Sequence, residues 1–187
     1  MSMDYYVYLK KTFPDKLAFE NYAKELGYNL TLHPETDLMN DSGFCPIRFI
    51  DARFNDATGT DTFMTGFELY RDIYQPSKQK VTISKGFLGI FRKRVPHKET
   101  MLDLAVKGSS TVLYLRCSGS DSFEIMMAYL FGAYCVKHCN GVFDDPQFGC
   151  FYREASAIEK EISTILDELQ EEKRLGNLHT HKYEGWI

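Results

Sequence analysis

The sequence lacks an apolar segment long enough to cross a membrane. Its longest run without a charged side chain, from Ile125 to Val136, has twelve residues, whereas a helix that spans a bilayer needs about twenty. The stretch from Met1 to Lys10 also lacks the apolar run that follows the basic start of a secretory signal. We therefore expect a soluble protein of the cytoplasm.

The chain also lacks an excess of positive charge and an even set of cysteines. Its formal net charge is −4 and its pI is about 5.7. This argues against general binding of nucleic acid, because proteins that do so usually carry a basic footprint. Five cysteines are an odd number, and reduced thiols are the expected state in the cytoplasm.

Signature motifs of common enzymes are missing as well. The sequence has no Gly-x-Ser-x-Gly elbow, no His-Glu-x-x-His zinc motif, no dinucleotide-binding fingerprint and no set of kinase motifs. We therefore expect no cofactor, and the motifs do not favour an enzyme. Because the chain has no internal repeat and no linker, we treat residues 1–187 as a single domain whose tail, 176–187, need not be ordered.

The sequence does contain a regular succession of strand and helix patterns. Runs rich in β-branched and aromatic residues predict strands over 4–10, 29–32, 46–52, 62–74, 81–84, 87–91, 111–117, 142–143 and 150–152. Apolar residues at helical spacing predict helices over 14–26, 98–107, 122–139 and 154–173. This order predicts an α+β fold: a mainly antiparallel sheet of five to seven strands, a buried helix packed on it, and a C-terminal amphipathic helix.

Three of these elements make specific predictions about packing. The helix over 122–139 is apolar on nearly every side, so we expect it to be buried on nearly every side. The helix over 154–173 has one narrow apolar stripe and should pack by that side only. The strand over 62–74 carries apolar side chains on both faces, so we expect both faces to be covered.

The loop from Cys117 to Asp121 joins a strand to the start of the apolar helix. Free N–H groups at a helix start can bind an anion and lower the pKa of a thiol, so Cys117, Ser118 and Ser120 are candidate ligand-binding residues. Against this, no arginine stands where a phosphatase loop needs one, and Asp121 would repel an anion. Asp121 and Glu124 also form a capping-box pattern, which favours a structural loop.

Two further groups of polar residues have both a chemical and a structural interpretation. Asp144 and Asp145 could carry out acid–base chemistry or bind a ligand, but Asp-Asp-Pro after a strand is also a stable turn. Cys135, His138 and Cys139 lie within one helical turn, as zinc ligands could. Because their helix is apolar and cysteine is often buried, we predict no metal site.

One stretch of the chain is strongly basic. Residues 78–98 contain seven lysines and arginines and no acidic residue, in a chain of net charge −4. Such asymmetry can steer an acidic partner onto a protein, and we predict that Lys85, Arg92, Lys93 and Arg94 contact one. The alternative is a solvated hairpin whose basic side chains cover their apolar neighbours.

The stretch around the apolar helix resembles a known pattern. The resemblance begins with the strand Val112–Cys117 and the small loop Ser118–Ser120, which lead into the apolar helix. A second strand, Gly141–Asp144, and its turn, Asp145–Gln147 with Gly149, follow the helix. Small uncharacterised bacterial α+β proteins are similar, and some of them are immunity proteins of polymorphic toxin systems. The resemblance implies a non-catalytic protein that binds and blocks a toxin.

These observations lead to three hypotheses about function. The first is a non-enzymatic cytoplasmic protein-binding protein, immunity-like, whose partner is an acidic protein such as a toxin. The second is an enzyme or a small-ligand-binding protein that uses the Cys117–Asp121 loop and the Asp144–Asp145 turn. The third is a homo-oligomer, because fourteen Phe and twelve Tyr leave aromatic surface for an interface. Neither a membrane nor nucleic acid is an expected partner.

Overall fold

The structure is a computed structural model of the chain. It describes residues 2–40, 42–54, 62–76, 82–85, 92–95 and 100–179, and it gives only the backbone of 82–85, 92–95 and Phe63. The strands in these ranges are β1 (Ser2–Leu9), β2 (Asn29–Leu32), β3 (Gly43–Ile50), β4 (Thr62–Ile73), β5 (Thr82–Lys85), β6 (Arg92–Val95), β7 (Thr111–Ser118), β8 (Val142–Asp145) and β9 (Cys150–Tyr152).

Seven of the strands form one sheet in the order β2-β3-β4-β7-β1-β8-β9. Every neighbouring pair in that sheet is antiparallel. The strands β5 and β6 pair with each other in a separate two-stranded sheet. The predicted α+β class and the predicted number of strands are confirmed.

The helices are α1 (Lys16–Glu25), α2 (Met101–Ala105), α3 (Ser122–His138) and α4 (Ala155–Leu175), with a short 3-10 helix at Ala52–Phe54. Three of the helix ends have a local cause. The Asp15 side chain accepts the Ala18 N–H at the start of α1. Thr100 and Asp103 form a capping box, which makes α2 start later than the predicted helix over 98–107. Gly176 adopts a left-handed conformation and ends α4.

The helix α3 is the centre of the core. Thirteen of its seventeen residues are buried, as its all-round apolar composition predicts. It packs against β1, β4, β7 and β8 on one side and against α4 on another. The helix α4 buries a single stripe through Ile158, Ile162 and Leu169, which confirms one-sided packing.

Two strand predictions differ from the structure. The strand β3 begins at Gly43 and runs through Pro46, where the sequence predicted a start. The Pro46 carbonyl accepts the His33 N–H just beyond the last paired residue of β2. Because proline has no N–H, Pro46 cannot return a bond to the His33 carbonyl, which instead accepts from Lys16 Nζ at 2.6 Å. The strand β6 lies at Arg92–Val95, a segment with no predicted strand, and the predicted strand over 87–91 lies outside the described residues.

Two further observations bear on the class of protein. Within the described ranges, no helix combines the length and the apolar composition needed to cross a bilayer. None of the five cysteines forms a disulfide.

Candidate functional site

The two faces of the seven-stranded sheet differ in what covers them. Side chains alternate along a strand, so Tyr5, Val7 and Leu9 of β1 face the helices and are buried. Tyr6 and Tyr8 point to the other face and are partly exposed. The helices α1, α3 and α4 pack on the first face. In the described part of the chain, none of these three helices covers the second face.

Tyrosines from three central strands meet on this second face. We call it the tyrosine face and define it by Tyr6 and Tyr8 of β1, Tyr70 and the adjacent Tyr74 at the end of β4, and Tyr114 of β7. The strand register places Tyr114 directly between Tyr6 and Tyr70. The rings of Tyr6 and Tyr114 meet edge to face with centroids 5.2 Å apart, and those of Tyr8 and Tyr74 do so at 5.0 Å. These contacts hold the rings in fixed positions.

The strand β4 is therefore not covered on both of its faces as its composition predicted. Phe67 and Leu69 are buried under α3, but Tyr70 is 38% exposed and Asp72 is exposed. The apolar character of the second face comes from tyrosine rings, whose hydroxyl groups tolerate water. That combination is common at interfaces, where one part of the side chain is apolar and the other is wet.

A depression of about 470 Å³ lies on the tyrosine face. Tyr6, Tyr8, Tyr74 and Tyr114 line it. They are joined by the polar side chains of Asp72 and Gln75, and by Ile73 and Val112. The depression lies where β4 ends, since Asp72 and Ile73 are the last residues of that strand and Tyr74 and Gln75 follow it. It extends from there over β7 and β1.

The charged residues of the central strands on this face are mostly acidic. Asp4, Glu68, Asp72 and Asp144 lie on this side of β1, β4 and β8, together with two guanidinium groups, those of Arg116 on β7 and Arg48 on β3. The Arg116 Nε donates to Asp4 Oδ1 at 2.7 Å, so its charge is already opposed. The Tyr70 hydroxyl donates to Glu68 at 2.9 Å.

The pKa values of Tyr6 and Tyr8 are raised on this face. Burial raises the pKa of Tyr8 above its ordinary value, and the Asp144 carboxylate raises it further. Burial and then the Asp4 charge raise the pKa of Tyr6. The face therefore offers neutral phenols and carboxylates, which suit a cationic group better than a phosphate.

The predicted loop at the start of α3 is satisfied by its own contacts. Asp121 accepts the N–H groups of Phe123 and Glu124 at 3.0 and 3.2 Å, which confirms the predicted cap. Glu124 also reaches back, but to the N–H of Ser118 at 2.7 Å. The hydroxyl oxygens of Ser118 and Ser120 lie 2.9 Å apart.

The candidate nucleophile Cys117 lies on the helix-covered face and is 2% exposed. Its thiol donates to the Glu124 carbonyl at 3.4 Å. Burial raises the pKa of Cys117 well above its ordinary value, and the charges of Glu124 and Asp121 raise it further. The protonated thiol is a poor nucleophile.

Asp144 and Asp145 point to opposite faces of the sheet. Asp145 is fully buried and accepts the Tyr129 hydroxyl and the Gln147 N–H, as a turn-forming aspartate does. Asp144 is in register with Tyr6 on the tyrosine face. Burial, followed by the Asp145 charge, raises the pKa of Asp144 to about 6. Cys117 and Asp144 thus lie on opposite faces and do not form one site.

The predicted partner-binding residues lie on the separate two-stranded sheet. The register pairs Lys85 with Arg92 and places Lys93 and Arg94 on the same strand, β6. The side chains of all four lie outside the described residues, so their predicted contact with an acidic partner stays a prediction.

A comparison of the chain with protein-family models, curated proteins and solved structures found no match. The resemblance to immunity proteins therefore stays a prediction. In the described part of the chain, no three His, Cys, Asp or Glu side chains come together as metal ligands. Cys135 is buried on α3 and Cys139 is buried directly after it, while His138 is exposed.

The sequence predictions missed the tyrosine face. Two tyrosines two positions apart were visible in β1, at Tyr6 and Tyr8, and two that are four positions apart were visible at Tyr70 and Tyr74. The alternation shows that such side chains share a face. It does not show that β1 lies beside β7, and β7 beside β4, which is what brings Tyr6, Tyr114 and Tyr70 into one row.

Proposed function

We propose that this chain is a non-enzymatic protein-binding protein whose main contact surface is the tyrosine face. The observation that supports this is the row of Tyr6, Tyr114 and Tyr70 across three neighbouring strands. Tyrosine is enriched where proteins bind one another, because a rigid ring contributes large contact area at a small cost in side-chain entropy. The row of rings lies on the surface of a sheet and not in an enclosed pocket, and such a surface suits a protein partner better than a small molecule, which prefers a deeper pocket.

The resemblance to immunity proteins extends this proposal to the kind of partner. An immunity-like protein would bind a toxin and block it without chemistry of its own. The basic residues Lys85, Arg92, Lys93 and Arg94 would then add a second contact, with an acidic region of the same partner.

The alternative, an enzyme or a small-ligand-binding protein, is supported by Asp144 alone. Its carboxyl group has a pKa of about 6, in the range that suits proton transfer. The loop residues Cys117, Ser118 and Ser120 do not converge on it, since Cys117 lies on the other side of the sheet and the two serines contact each other.

The proposal is tested by identifying the partner and then changing the face. Tagged protein is purified from its native cells, the co-purifying protein is identified, and binding of the two purified proteins is measured by calorimetry. Tyr6→Ala with Tyr114→Ala should weaken binding by at least about a hundredfold, as expected of central aromatic contacts. Leu17→Ser, which changes a side chain on α1 that is 64% exposed, serves as the matched control.

Equal binding by the wild type and the double variant, with both folded by circular dichroism, would overturn the assignment of the tyrosine face. A loss of the same size in Leu17→Ser would also overturn it, because that residue lies in the helical layer.

A further inference from the structure

We propose that the tyrosine face binds an extended polypeptide segment of the partner that carries lysine or arginine at positions four apart. This inference rests on the proposed function and adds the chemistry of the bound segment. It is carried by the position of two carboxylates relative to the tyrosine rings. Both lie on strands whose register the structure defines.

The carboxylates flank the rings from both sides. Asp144 of β8 is in register with Tyr6. Asp72 of β4 is in register with Val112, which is in register with Tyr8 on its other side. A row of apolar and aromatic side chains therefore separates an acidic group on β4 from one on β8. Val112 is 4% exposed, so this middle part is apolar beneath the rings.

The spacing of the carboxylates fits an extended chain. Three steps from strand to strand separate β4 from β8, which is ~14 Å at the usual distance between strands. In an extended segment, side chains four positions apart point the same way and lie ~13 Å from each other. Asp144 and Asp72 belong to adjacent rows, which are offset by ~7 Å along the strands and bring the two carboxylates to ~16 Å from each other. A segment that crosses the strands obliquely places one basic side chain near each, because flexible lysine and arginine side chains reach beyond their own ~13 Å spacing.

The rings contribute to the same preference. A lysine or arginine side chain that approaches a carboxylate here passes over tyrosine rings, which attract cations through their electron-rich faces. The side chain midway between the two basic residues meets the apolar centre of the depression. Arg116 does not oppose this arrangement, because Asp4 holds its guanidinium at 2.7 Å.

Charge also separates this partner from nucleic acid. On this side of β3, β4, β7, β1 and β8, four carboxylates stand against two guanidinium groups, those of Arg48 and Arg116. A phosphate backbone would be repelled, and nucleic-acid binding depends on neutralising phosphates with basic side chains. Nucleic-acid bases could stack on the tyrosine rings, but the face lacks the excess of positive charge that binding of a nucleic acid also requires.

The test uses a synthetic peptide as the probe. A fluorescein-labelled peptide with arginine at every fourth position, leucine midway and serine elsewhere is titrated with the full chain by fluorescence anisotropy. Two matched peptides carry glutamate or glutamine in place of arginine. We expect the arginine peptide to bind at least about tenfold more tightly than either, and to weaken as salt screens the contacts.

Two double variants that remove the same number of negative charges distinguish binding at the tyrosine face from a general attraction by the net charge of the protein. Asp72→Asn with Asp144→Asn should weaken binding of the arginine peptide about tenfold. Asp167→Asn with Glu168→Gln removes two exposed carboxylates from α4 and should leave binding within about twofold. Equal losses in the two double variants would mean that net charge alone attracts the peptide, and the proposal would be overturned.

The remaining outcomes distinguish this inference from the proposed function. If no peptide binds while the native partner still needs Tyr6 and Tyr114, the inference fails and the proposed function stands. If neither a peptide nor the native partner binds at the tyrosine face, the inference and the proposed function both fail. If the wild-type chain binds an RNA oligonucleotide as tightly as the arginine peptide, the inference is overturned. It is also overturned if light scattering shows self-association that Asp72→Asn abolishes while no peptide binds, because a second copy is then the occupant.

Discussion

Gly132 in α3 is packed against an aromatic ring. A Cβ at this position would lie 2.6 Å from Cδ2 of Phe143, and Phe143 is fully buried against Tyr5 and Tyr129. Alanine would add about 1 kcal/mol of helix propensity, but overpacking a core costs about 1–3 kcal/mol and here the ring has no free side to move into. We expect Gly132→Ala to lower the free energy of unfolding by up to about 2 kcal/mol, measured by urea denaturation.

A second substitution separates overpacking from other effects of the alanine. Phe143→Leu shortens the opposing side chain, so it should cost less in the Gly132→Ala background than alone, and the two effects should not be additive. Additive effects of the two substitutions would contradict the packing of Gly132 described above.

Asp144 should make stability depend on pH. Its pKa in the folded protein is about 6, above the ordinary value near 4 that holds in the unfolded chain. The contribution of this carboxyl group to the free energy of unfolding is therefore fully present below about pH 4, and it is lost as the pH rises through about 6. Because the side chain is only half-buried, we expect Asp144→Asn to raise the free energy of unfolding by no more than about 1 kcal/mol at pH 7.

Urea denaturation at pH 4 and at pH 7 checks this expectation. The gain from Asp144→Asn should shrink or vanish at the lower pH. Asp72→Asn, which removes an exposed carboxylate from the same face, is the control for a general effect of charge. Equal gains for Asp144→Asn at the two pH values would show that its proton does not couple to folding.

The start of α3 allows a comparison between two helices. Asp121 is buried and accepts two N–H groups of the first turn, whereas Glu154 at the start of α4 makes no side-chain cap bond. We expect Asp121→Ala to lower the free energy of unfolding by about 1–2 kcal/mol and Glu154→Ala to change it by less than about 0.5 kcal/mol. Guanidinium denaturation of both variants measures the difference, and similar losses would contradict the assigned caps.

The elements that sequence could predict are those with a local cause. The helix α3 follows from its composition and its cap from Asp121, and both depend on residues close together in the chain. The tyrosine face has no local cause. Asp144 lies beside Tyr6 because β8 pairs with β1, and that pairing is decided by how α3 packs the sheet as a whole. Alternation along a strand shows which side chains share a face of the sheet, but only tertiary packing decides which strands lie next to each other.

At the scale of the whole molecule, the seven-stranded sheet and the two-stranded sheet are separate hydrogen-bonded units. The chain leaves the large sheet after β4 and returns to it before β7. Near this point, the Tyr74 N–H donates to the Ser110 carbonyl at 2.9 Å, and the Ser110 N–H donates to the Leu9 carbonyl at 2.9 Å. These bonds tie the end of β4 to β7 and β1 without any contribution from residues 77–99.

We therefore expect the large sheet to fold without the basic segment. Replacing residues 77–99 with a flexible Gly-Ser linker of about ten residues shortens the loop, which changes the closure entropy only slightly. The free energy of unfolding should stay within about 1 kcal/mol of the wild type by urea denaturation. A loss of several kcal/mol would mean that the segment packs on the sheet and belongs to the core.

The same variant separates the two predicted contact surfaces. If Lys85, Arg92, Lys93 and Arg94 bind an acidic region of the partner, the linker variant loses that contribution but keeps its affinity for the arginine peptide. Reversing the charge of Arg92, Lys93 and Arg94 to glutamate should weaken partner binding at least as much, since repulsion is added to the lost attraction. Unchanged capture of the purified partner by both variants would leave the tyrosine face as the contact and remove the basic segment from it.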